Sequence, residues 1–350
     1  MEPWPGTNDA SSERTQDEIY AAGLGDGLPI VPPTADRVNR MLAASGVDPD
    51  AVICELPPLF AAATWHAIAI NAVMAGCKDE YLAIIGAAID ALAEPEFNLI
   101  GIATTTGSAA TLVIVNGPVT RSLEMNAAAN ALGPGNRANA SIGRAVRLVL
   151  QNVGGATPGE IDMATLGQPA KFTFCLAENE AGSPWPPLHV ERGFETAASV
   201  VTVVGASGIV EVVDSSSCAP EELAQTFAQS MLIAGTLGGA ALLGGGEPLL
   251  VLPPEQAQLL AQAGCSKTQF KALVWERAFL PLESLSPPIG RHLVERRRSA
   301  GETDLRAPLR VAEQPADIMI VVAGGVGIKA AYIPTWGGST RAVSRRVRGD

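Results

Sequence analysis

The side chains best suited to chemistry are concentrated in one short stretch of the chain. In order, they are Glu178, Glu180, His189 and Arg192. Two carboxylates, an imidazole and a guanidinium can together remove a proton, return a proton and hold an anion. We expect either glutamate to be a base, the histidine to be its partnered acid and the arginine to clamp an anionic substrate. The alternative is a solvated loop whose charges pair with neighbouring residues.

A second candidate is the glycine-rich segment at residues 133–141, which leads into a predicted helix. Backbone N–H groups at a helix start, with the side chains of Asn136, Arg137 and Asn139, form a suitable cradle for a carboxylate or phosphate. The other interpretation is an ordinary turn with a helix N-cap. Asn116, which follows a predicted strand, is expected to help orient the same substrate.

Five cysteines are spread along the chain without a CxxC pair, a pattern that does not favour disulfides and suits a reducing cytoplasm. Cys77 precedes a predicted helix and lies beside Lys78, so the helix dipole and the cation are expected to favour its thiolate. Cys218 precedes the predicted helix at Pro220 and is a second candidate thiolate. The alternative for Cys77 is a small buried hydrophobic residue.

Neither a metal nor a nucleotide cofactor is expected. The three histidines lie far apart in the sequence, and no HxH, HExxH or CxxC motif is present. Glycine loops at residues 205–208 and 324–327 follow strand-like runs, but neither completes the G-x-G-x-x-G pattern of a dinucleotide site. Lys329 follows the second loop and is a candidate for binding a substrate anion, with a simple surface charge as the alternative.

Composition argues against several other classes of protein. The net charge of −12 argues against nucleic acid as a partner. The polar, acidic N-terminus lacks the apolar region of a secretory signal. Two long apolar stretches, residues 59–76 and 231–246, contain polar residues or are interrupted by glycine, which argues against membrane spans. We expect a cytoplasmic protein that does not insert into membranes.

Apolar periodicity predicts an α/β fold with mixed sheets and flanking helices. Predicted strands cover residues 98–103, 111–115, 172–176, 248–252 and 318–322, and predicted helices start at Asp79, Ser141, Pro220 and Ser266. Because the order helix, strand, helix, strand occurs twice, we expect two pseudo-repeated halves, residues 21–205 and 206–350, after a disordered lead over residues 1–20. Ligands of such folds bind beyond the carboxyl ends of strands, which favours the loops after Leu176 and Val322.

Several short strings occur together in the chain: GDGLPIVPPT (25–34), AINAVMAGC (69–77), LVIVNGP (112–118), ALGPGNRAN (131–139), LHVERG (188–193) and VVAGG (321–325). On these strings the chain resembles a largely uncharacterised bacterial family associated with UGSC-motif (seleno)proteins. The resemblance implies thiol or selenol redox chemistry. The UGSC string itself is not present, and its nearest relative is SSSC at residues 215–218.

These observations favour a metal-independent enzyme of hydrolase or lyase type that acts on a small polar or anionic molecule. The second hypothesis is a thiol-dependent oxidoreductase, or its substrate-binding subunit, that uses Cys77 or Cys218 with a redox partner protein. The third is a non-catalytic binding or assembly protein. Ala- and Gly-rich apolar content suits an interface between copies, so a homo-oligomer is expected.

Overall fold

The computed structural model describes residues 10–232, 246–337 and 340–348. Its α-helices are α1 (Ala10–Ala21), α2 (Ala35–Ser45), α3 (Trp65–Met74), α4 (Leu82–Leu92), α5 (Leu99–Thr104), α6 (Val119–Ser122), α7 (Arg137–Asn152), α8 (Leu188–Glu191), α9 (Pro220–Met231), α10 (Pro254–Gln262), α11 (Lys267–Arg277) and α12 (Pro287–Ser299). Its strands are β1 (Val52–Leu56), β2 (Ala61–Thr64), β3 (Ala110–Asn116), β4 (Cys175–Ala177), β5 (Val200–Ala206), β6 (Val210–Val213), β7 (Leu249–Leu252), β8 (Phe279–Leu280), β9 (Leu309–Arg310), β10 (Met319–Val322), β11 (Lys329–Ile333) and β12 (Val343–Arg346).

Two four-stranded sheets of mixed direction form the centre of the fold. The first has the order β12, β5, β3, β4, and only β3 and β4 are parallel neighbours. The second has the order β6, β11, β7, β10, and only β7 and β10 are parallel neighbours. Each sheet therefore has a parallel pair at one edge and antiparallel strands at the other. Runs of valine, isoleucine and leucine suit these strands because branched side chains pack well on a pleated surface.

The two sheets pack face to face, and helices cover their outer faces. Leu112 and Ile114 of β3 share one apolar cluster with Leu249 and Val251 of β7. The alternate residues of β3, such as Val113, belong to a second cluster with α3, α4 and α7. Alternate residues of β7 pack in the same way with α9 and α11. Because side chains alternate along a strand, the result is four layers: helices, sheet, sheet, helices.

The sheets exchange their edge strands. Strand β6 follows β5 after a short connection, residues 207–209, yet it pairs with β11 of the second sheet. Strand β12 follows β11 in the chain but pairs with β5 of the first sheet. The two connections run side by side, since Ala206 forms a bridge with Thr335. Each sheet therefore receives one edge from the other part of the chain.

The predicted α/β class, with mixed sheets and flanking helices, is confirmed. The division into halves at residues 21–205 and 206–350 stays a prediction, and β12 pairs across that division. Residues 1–9 of the expected disordered lead lie outside the described residues. The remainder of that lead is helical and belongs to α1, whose Ile19 and Tyr20 pack against the apolar cluster that includes α3, α4 and α7.

Three local predictions are wrong. The strand predicted at residues 172–176 is reduced to β4, which begins only at Cys175. Residues 98–103 were expected to form a strand, but they contribute to α5, because the side chain of Asn98 caps the helix by accepting the N–H of Gly101 at 3.3 Å. The helix predicted from Ser141 begins one turn earlier, after the N-cap Asn136.

In the described part of the chain, no helix has the length and apolarity needed to cross a membrane. Most of the apolar stretch 231–246 lies outside that part.

Candidate functional site

The ends of two neighbouring parallel strands bring the predicted acid–base residues together. Strands β3 and β4 pair in parallel up to their carboxyl ends, so Asn116 and Glu178 leave the sheet side by side. Glu180 follows in a short turn, and His189 returns on α8. The strand-end rule for ligand sites in α/β folds therefore points to this position.

Asn116 joins the two carboxylates. Its Nδ2 donates to Glu178 Oε2 at 2.7 Å and to Glu180 Oε1 at 3.0 Å. Glu178 Oε2 also accepts the backbone N–H of Leu188 at 2.8 Å, and Glu178 Oε1 lies 3.5 Å from the backbone nitrogen of Val322 in the second sheet. The Glu178 side chain therefore connects the end of β3, helix α8 and strand β10.

Glu178 is enclosed by protein and only 2% exposed. Burial raises the pKa of Glu178 above its ordinary value, and the neighbouring carboxylate of Glu180 acts in the same direction. Lys267 and the hydrogen bonds from Leu188 and Asn116 oppose the rise without cancelling it. Because an isolated buried charge is costly, Glu178 keeps its proton to a higher pH than an exposed glutamate does.

Glu180 is held through one of its oxygens. Its side chain is 27% exposed, and Oε1 accepts the backbone N–H of Gly117 at 2.7 Å in addition to the amide of Asn116. Gly117 has a φ of 87°, which lets the turn after β3 direct this N–H at the carboxylate. Among the described residues, Oε2 of Glu180 has no hydrogen-bond partner. That oxygen is therefore available to a molecule from outside.

His189 lies against Glu180 and is fully buried. Its Nε2 is 3.4 Å from the carbonyl oxygen of Thr196, and because a carbonyl only accepts, a hydrogen bond here requires Nε2 to be the donor. His189 Nδ1 is 3.7 Å from Glu180 Oε1, and both this nitrogen and Asn116 Oδ1 are buried without a hydrogen-bond partner among the described residues. The imidazole edge of His189 therefore faces the Glu180 carboxylate at a distance longer than a direct hydrogen bond.

Two buried lysines, which the sequence analysis did not single out, lie close to this network. Lys267 and Lys271 of α11 donate to Glu191 at 2.8 Å and 3.1 Å. Burial lowers the pKa of Lys271 even though Glu191 opposes that change. In the sequence, the only indication that the two lysines act together is their spacing of four residues, which places them on one helix face. Their partner is 76 residues from Lys267 in the chain, so local sequence does not identify it.

Arg192, the predicted anion clamp, already has partners. Its Nε donates to Ser344 Oγ at 2.7 Å, and its Nη1 lies 3.7 Å from Glu247 Oε1. These partners come from the β12 strand and from the segment before β7. The guanidinium charge is therefore balanced by Glu247, and a role in substrate binding stays a prediction.

The glycine-rich segment uses its polar side chains to hold its own loop. Asn136 Oδ1 accepts the backbone N–H of Asn139 at 3.0 Å, which is the N-cap bond of α7. Asn139 bonds to the backbone of Asn126 through both amide atoms, at 3.0 Å and 2.8 Å. Arg137 Nε donates to the carbonyl of Gly76 at 2.9 Å. These contacts fit the turn-and-cap interpretation, and substrate binding by the three side chains stays a prediction.

The predicted thiolate at Cys77 is wrong. Its Sγ lies 3.3 Å from the carbonyl oxygen of Ser141 on α7, and burial raises the pKa of Cys77 to about 12. Desolvation outweighs the guanidiniums of Arg137 and Arg144, which favour the thiolate. Cys218, in contrast, is exposed just before α9. Of the two candidate thiols, only Cys218 is accessible.

Lys329 lies at a cavity of about 410 Å³. Its Nζ is 3.4 Å from Glu211 Oε2, and both side chains are exposed. Leu176 of β4 and Ala323, which follows β10, also line this cavity. The cavity therefore lies near the ends of β4 and β10, but none of Asn116, Glu178, Glu180 and His189 lines it.

Among the described residues, no group of three or more His, Cys, Asp or Glu side chains is arranged to hold a metal ion. No family model matches the chain, and neither a curated protein nor a solved structure matches it. The resemblance to the UGSC-associated family, the cytoplasmic location and the homo-oligomer stay predictions.

Proposed function

We propose that the protein is an enzyme that acts on a small polar or anionic molecule by acid–base chemistry, as a hydrolase or a lyase. The observation that supports this best is the pair of carboxylates, Glu178 and Glu180, that share the amide of Asn116. Two negative charges that share one donor repel each other, and burial further raises the free energy needed to ionise both carboxyl groups. Groups arranged in this way are typical of sites that move protons.

Glu180 is the general base in this proposal. Its Oε1 is fixed by Asn116 and Gly117, while its Oε2 has no partner in the described part of the chain. A carboxylate anchored through one oxygen keeps its orientation while the other oxygen takes a proton from substrate or water. His189 is fully buried and its Nδ1 lies 3.7 Å from Glu180 Oε1, so in this proposal it acts through Glu180 and does not touch the substrate. Glu178 and Asn116 are positioning residues.

The cavity beside Lys329 is a candidate place for the substrate, although its lining includes none of Glu178, Glu180 and His189. A volume of about 410 Å³ is typical of a pocket for a small molecule. The exposed ammonium group of Lys329 attracts anions to this cavity, although Glu211 partly screens it. A substrate bound there would approach the ends of β4 and β10.

A turnover screen with matched variants tests the proposal. The protein is incubated with a panel of small esters, amides and hydroxy acids, and products are detected by mass spectrometry. Glu180→Gln preserves shape but cannot take a proton, so we expect turnover to fall about 10²- to 10⁴-fold while substrate binding is retained. Glu195→Gln, at an exposed carboxylate that pairs with Arg346, is the control and should keep full activity.

Three results separate the outcomes. Loss of turnover in Glu180→Gln alone supports the proposal. Equal turnover in wild type and Glu180→Gln would overturn the role of Glu180. Failure of the wild type to convert any compound in the panel, with binding observed, would favour the non-catalytic hypothesis.

A further inference from the structure

A cleft of about 370 Å³ lies along the outward face of α7, away from the acid–base residues. Its walls are formed by α7, by the Gly25–Asp26 turn and by residues 158–172. None of Asn116, Glu178, Glu180 and His189 lines it. The cleft is therefore a separate place where a small molecule can bind.

Five charged side chains line the cleft or support its wall: Asp26, Arg144, Arg147, Asp162 and Lys171. The carboxylate of Asp26 accepts two hydrogen bonds from the guanidinium of Arg144, at 2.7 Å and 2.8 Å. Both oxygens of Asp162 accept from Lys171 Nζ, at 2.6 Å and 2.7 Å, and Asp162 Oδ2 is 3.2 Å from Arg147 Nη2. Each carboxylate is thus balanced by a cation of its own. The charge of Arg147 is in excess.

Arg147 also has unused donors. Its two hydrogen bonds, to the carbonyl of Ala156 and to Asp162, both come from Nη2. Within the described ranges, Nε and Nη1 have no partner, and neither is a fully enclosed atom. The side chain is only 15% exposed, and burial lowers the pKa of Arg147 despite the two nearby aspartates. A partly buried cation with free N–H groups is suited to an anion.

Apolar groups flank these charges on two sides. Leu166 and Phe172 line the open side of the cleft and are 96% and 44% exposed. Behind Arg147, a small recess of about 30 Å³ is lined mainly by apolar residues, including Val146 and Phe174. An exposed leucine and phenylalanine beside a cation suit a ligand that combines a negative charge with an apolar part.

We propose that this cleft binds a small organic acid, with its carboxylate on the unused N–H groups of Arg147 and its apolar part against Phe172 and Leu166. A carboxylate supplies the acceptor oxygens that Arg147 lacks and balances its charge. Inorganic phosphate would satisfy the charge but would leave the apolar contacts unused. This site does not depend on proton transfer by Glu180.

Benzoate is a suitable probe because it combines a carboxylate with an apolar ring. Binding is measured by isothermal titration calorimetry, with benzamide, benzylamine and inorganic phosphate as comparison ligands. We expect benzoate to bind more tightly than each of them and Arg147→Gln to weaken benzoate binding by at least about tenfold. Arg40→Gln, which removes a surface ion pair with Asp79, is the control and should bind as wild type does.

Leu166 gives a second test that does not disturb folding, because its side chain is almost fully exposed. Both Leu166→Glu and Leu166→Lys remove the apolar contact, so only the sign of the new charge differs, and benzoate should bind about two- to fivefold more weakly to Leu166→Glu than to Leu166→Lys. The matched pair Val326→Glu and Val326→Lys, at a residue 98% exposed and outside the cleft, should change nothing. Equal binding of benzoate and benzamide, tighter binding of phosphate, absence of benzoate binding, or equal effects at both positions would overturn the proposal.

Discussion

Asn116 Nδ2 lies 2.7 Å from Glu178 Oε2 and 3.0 Å from Glu180 Oε1, so one amide group holds two carboxylates at the ends of adjacent strands. We expect Asn116→Ala to lower the free energy of unfolding by about 1–3 kcal/mol, because buried acceptors lose their donor. Urea denaturation measures the change. Asn152→Ala is the control, since Asn152 Nδ2 donates hydrogen bonds only to neutral oxygens. It should lower the free energy of unfolding by less than Asn116→Ala does. A larger loss in the control would contradict the role assigned to Asn116.

Glu178 is expected to make stability fall as pH rises. Its folded-state pKa is raised above 4.5, so between that value and the raised pKa the native state holds a proton that the unfolded state releases. The contribution of this bound proton to the free energy of unfolding is complete below the ordinary pKa of Glu178. It is lost as pH rises through the raised pKa of the folded state. Glu178→Gln mimics the protonated form, so it should match wild type at low pH and exceed its stability at high pH.

Urea unfolding from about pH 4 to about pH 8 measures this difference. Glu195→Gln provides a control in which the stability change with pH has the opposite sign, because a backbone hydrogen bond and then Arg346 lower the pKa of Glu195. A constant difference between Glu178→Gln and wild type across the range would show that Glu178 is not the titrating group.

Gly117 is expected to tolerate no side chain. A Cβ at this position would lie 2.2 Å from the carbonyl oxygen of Ala198, in addition to the strain of a φ of 87°. Gly193 has a φ of 89° but nothing within 4 Å of such a Cβ. Gly117→Ala should therefore cost about 1–3 kcal/mol more than Gly193→Ala in thermal or urea unfolding. Equal costs would mean that the chain near Ala198 moves aside.

Cysteine labelling is expected to separate the two candidate thiols. Cys77 is buried with its pKa raised to about 12, whereas Cys218 is exposed, so iodoacetamide should modify Cys218 much faster in the folded protein. Peptide mass spectrometry reads both sites in one sample, and labelling in urea shows that both peptides are detectable. Rapid labelling of Cys77 in the native protein would restore it as a nucleophile candidate.

The acid–base cluster could be predicted because its members follow a simple rule of position. Asn116 and Glu178 each lie at the carboxyl end of an apolar run, and parallel neighbours bring such ends together. What the sequence did not reveal was the burial of Glu178, whose side chain is contacted by Leu188 of α8 and Val322 of β10. The partners of Arg192 were also hidden, because Ser344 reaches it only through the exchanged strand.

Local signals failed where two structures fit the same residues. The apolar run at residues 99–103 has no polar alternation, so it suits a buried strand as well as a short helix. The helix was decided by the side chain of Asn98. For Cys77, proximity to a helix start suggested a thiolate, but contact with α7, more than 60 residues away, removed it from water.

Thr202 and Ser344 share a hydroxyl hydrogen bond of 2.8 Å across the β5–β12 pair, yet they are 142 residues apart in the chain. On a ribosome, β5 is therefore made long before the strand that completes its edge. At 5–20 residues per second this interval lasts roughly 7–30 s. Throughout it the nascent chain presents unpaired N–H and C=O groups along β5, which are open to pairing with a neighbouring nascent chain. Synthesis on crowded polysomes is thus a stage at which this fold is exposed to misassembly.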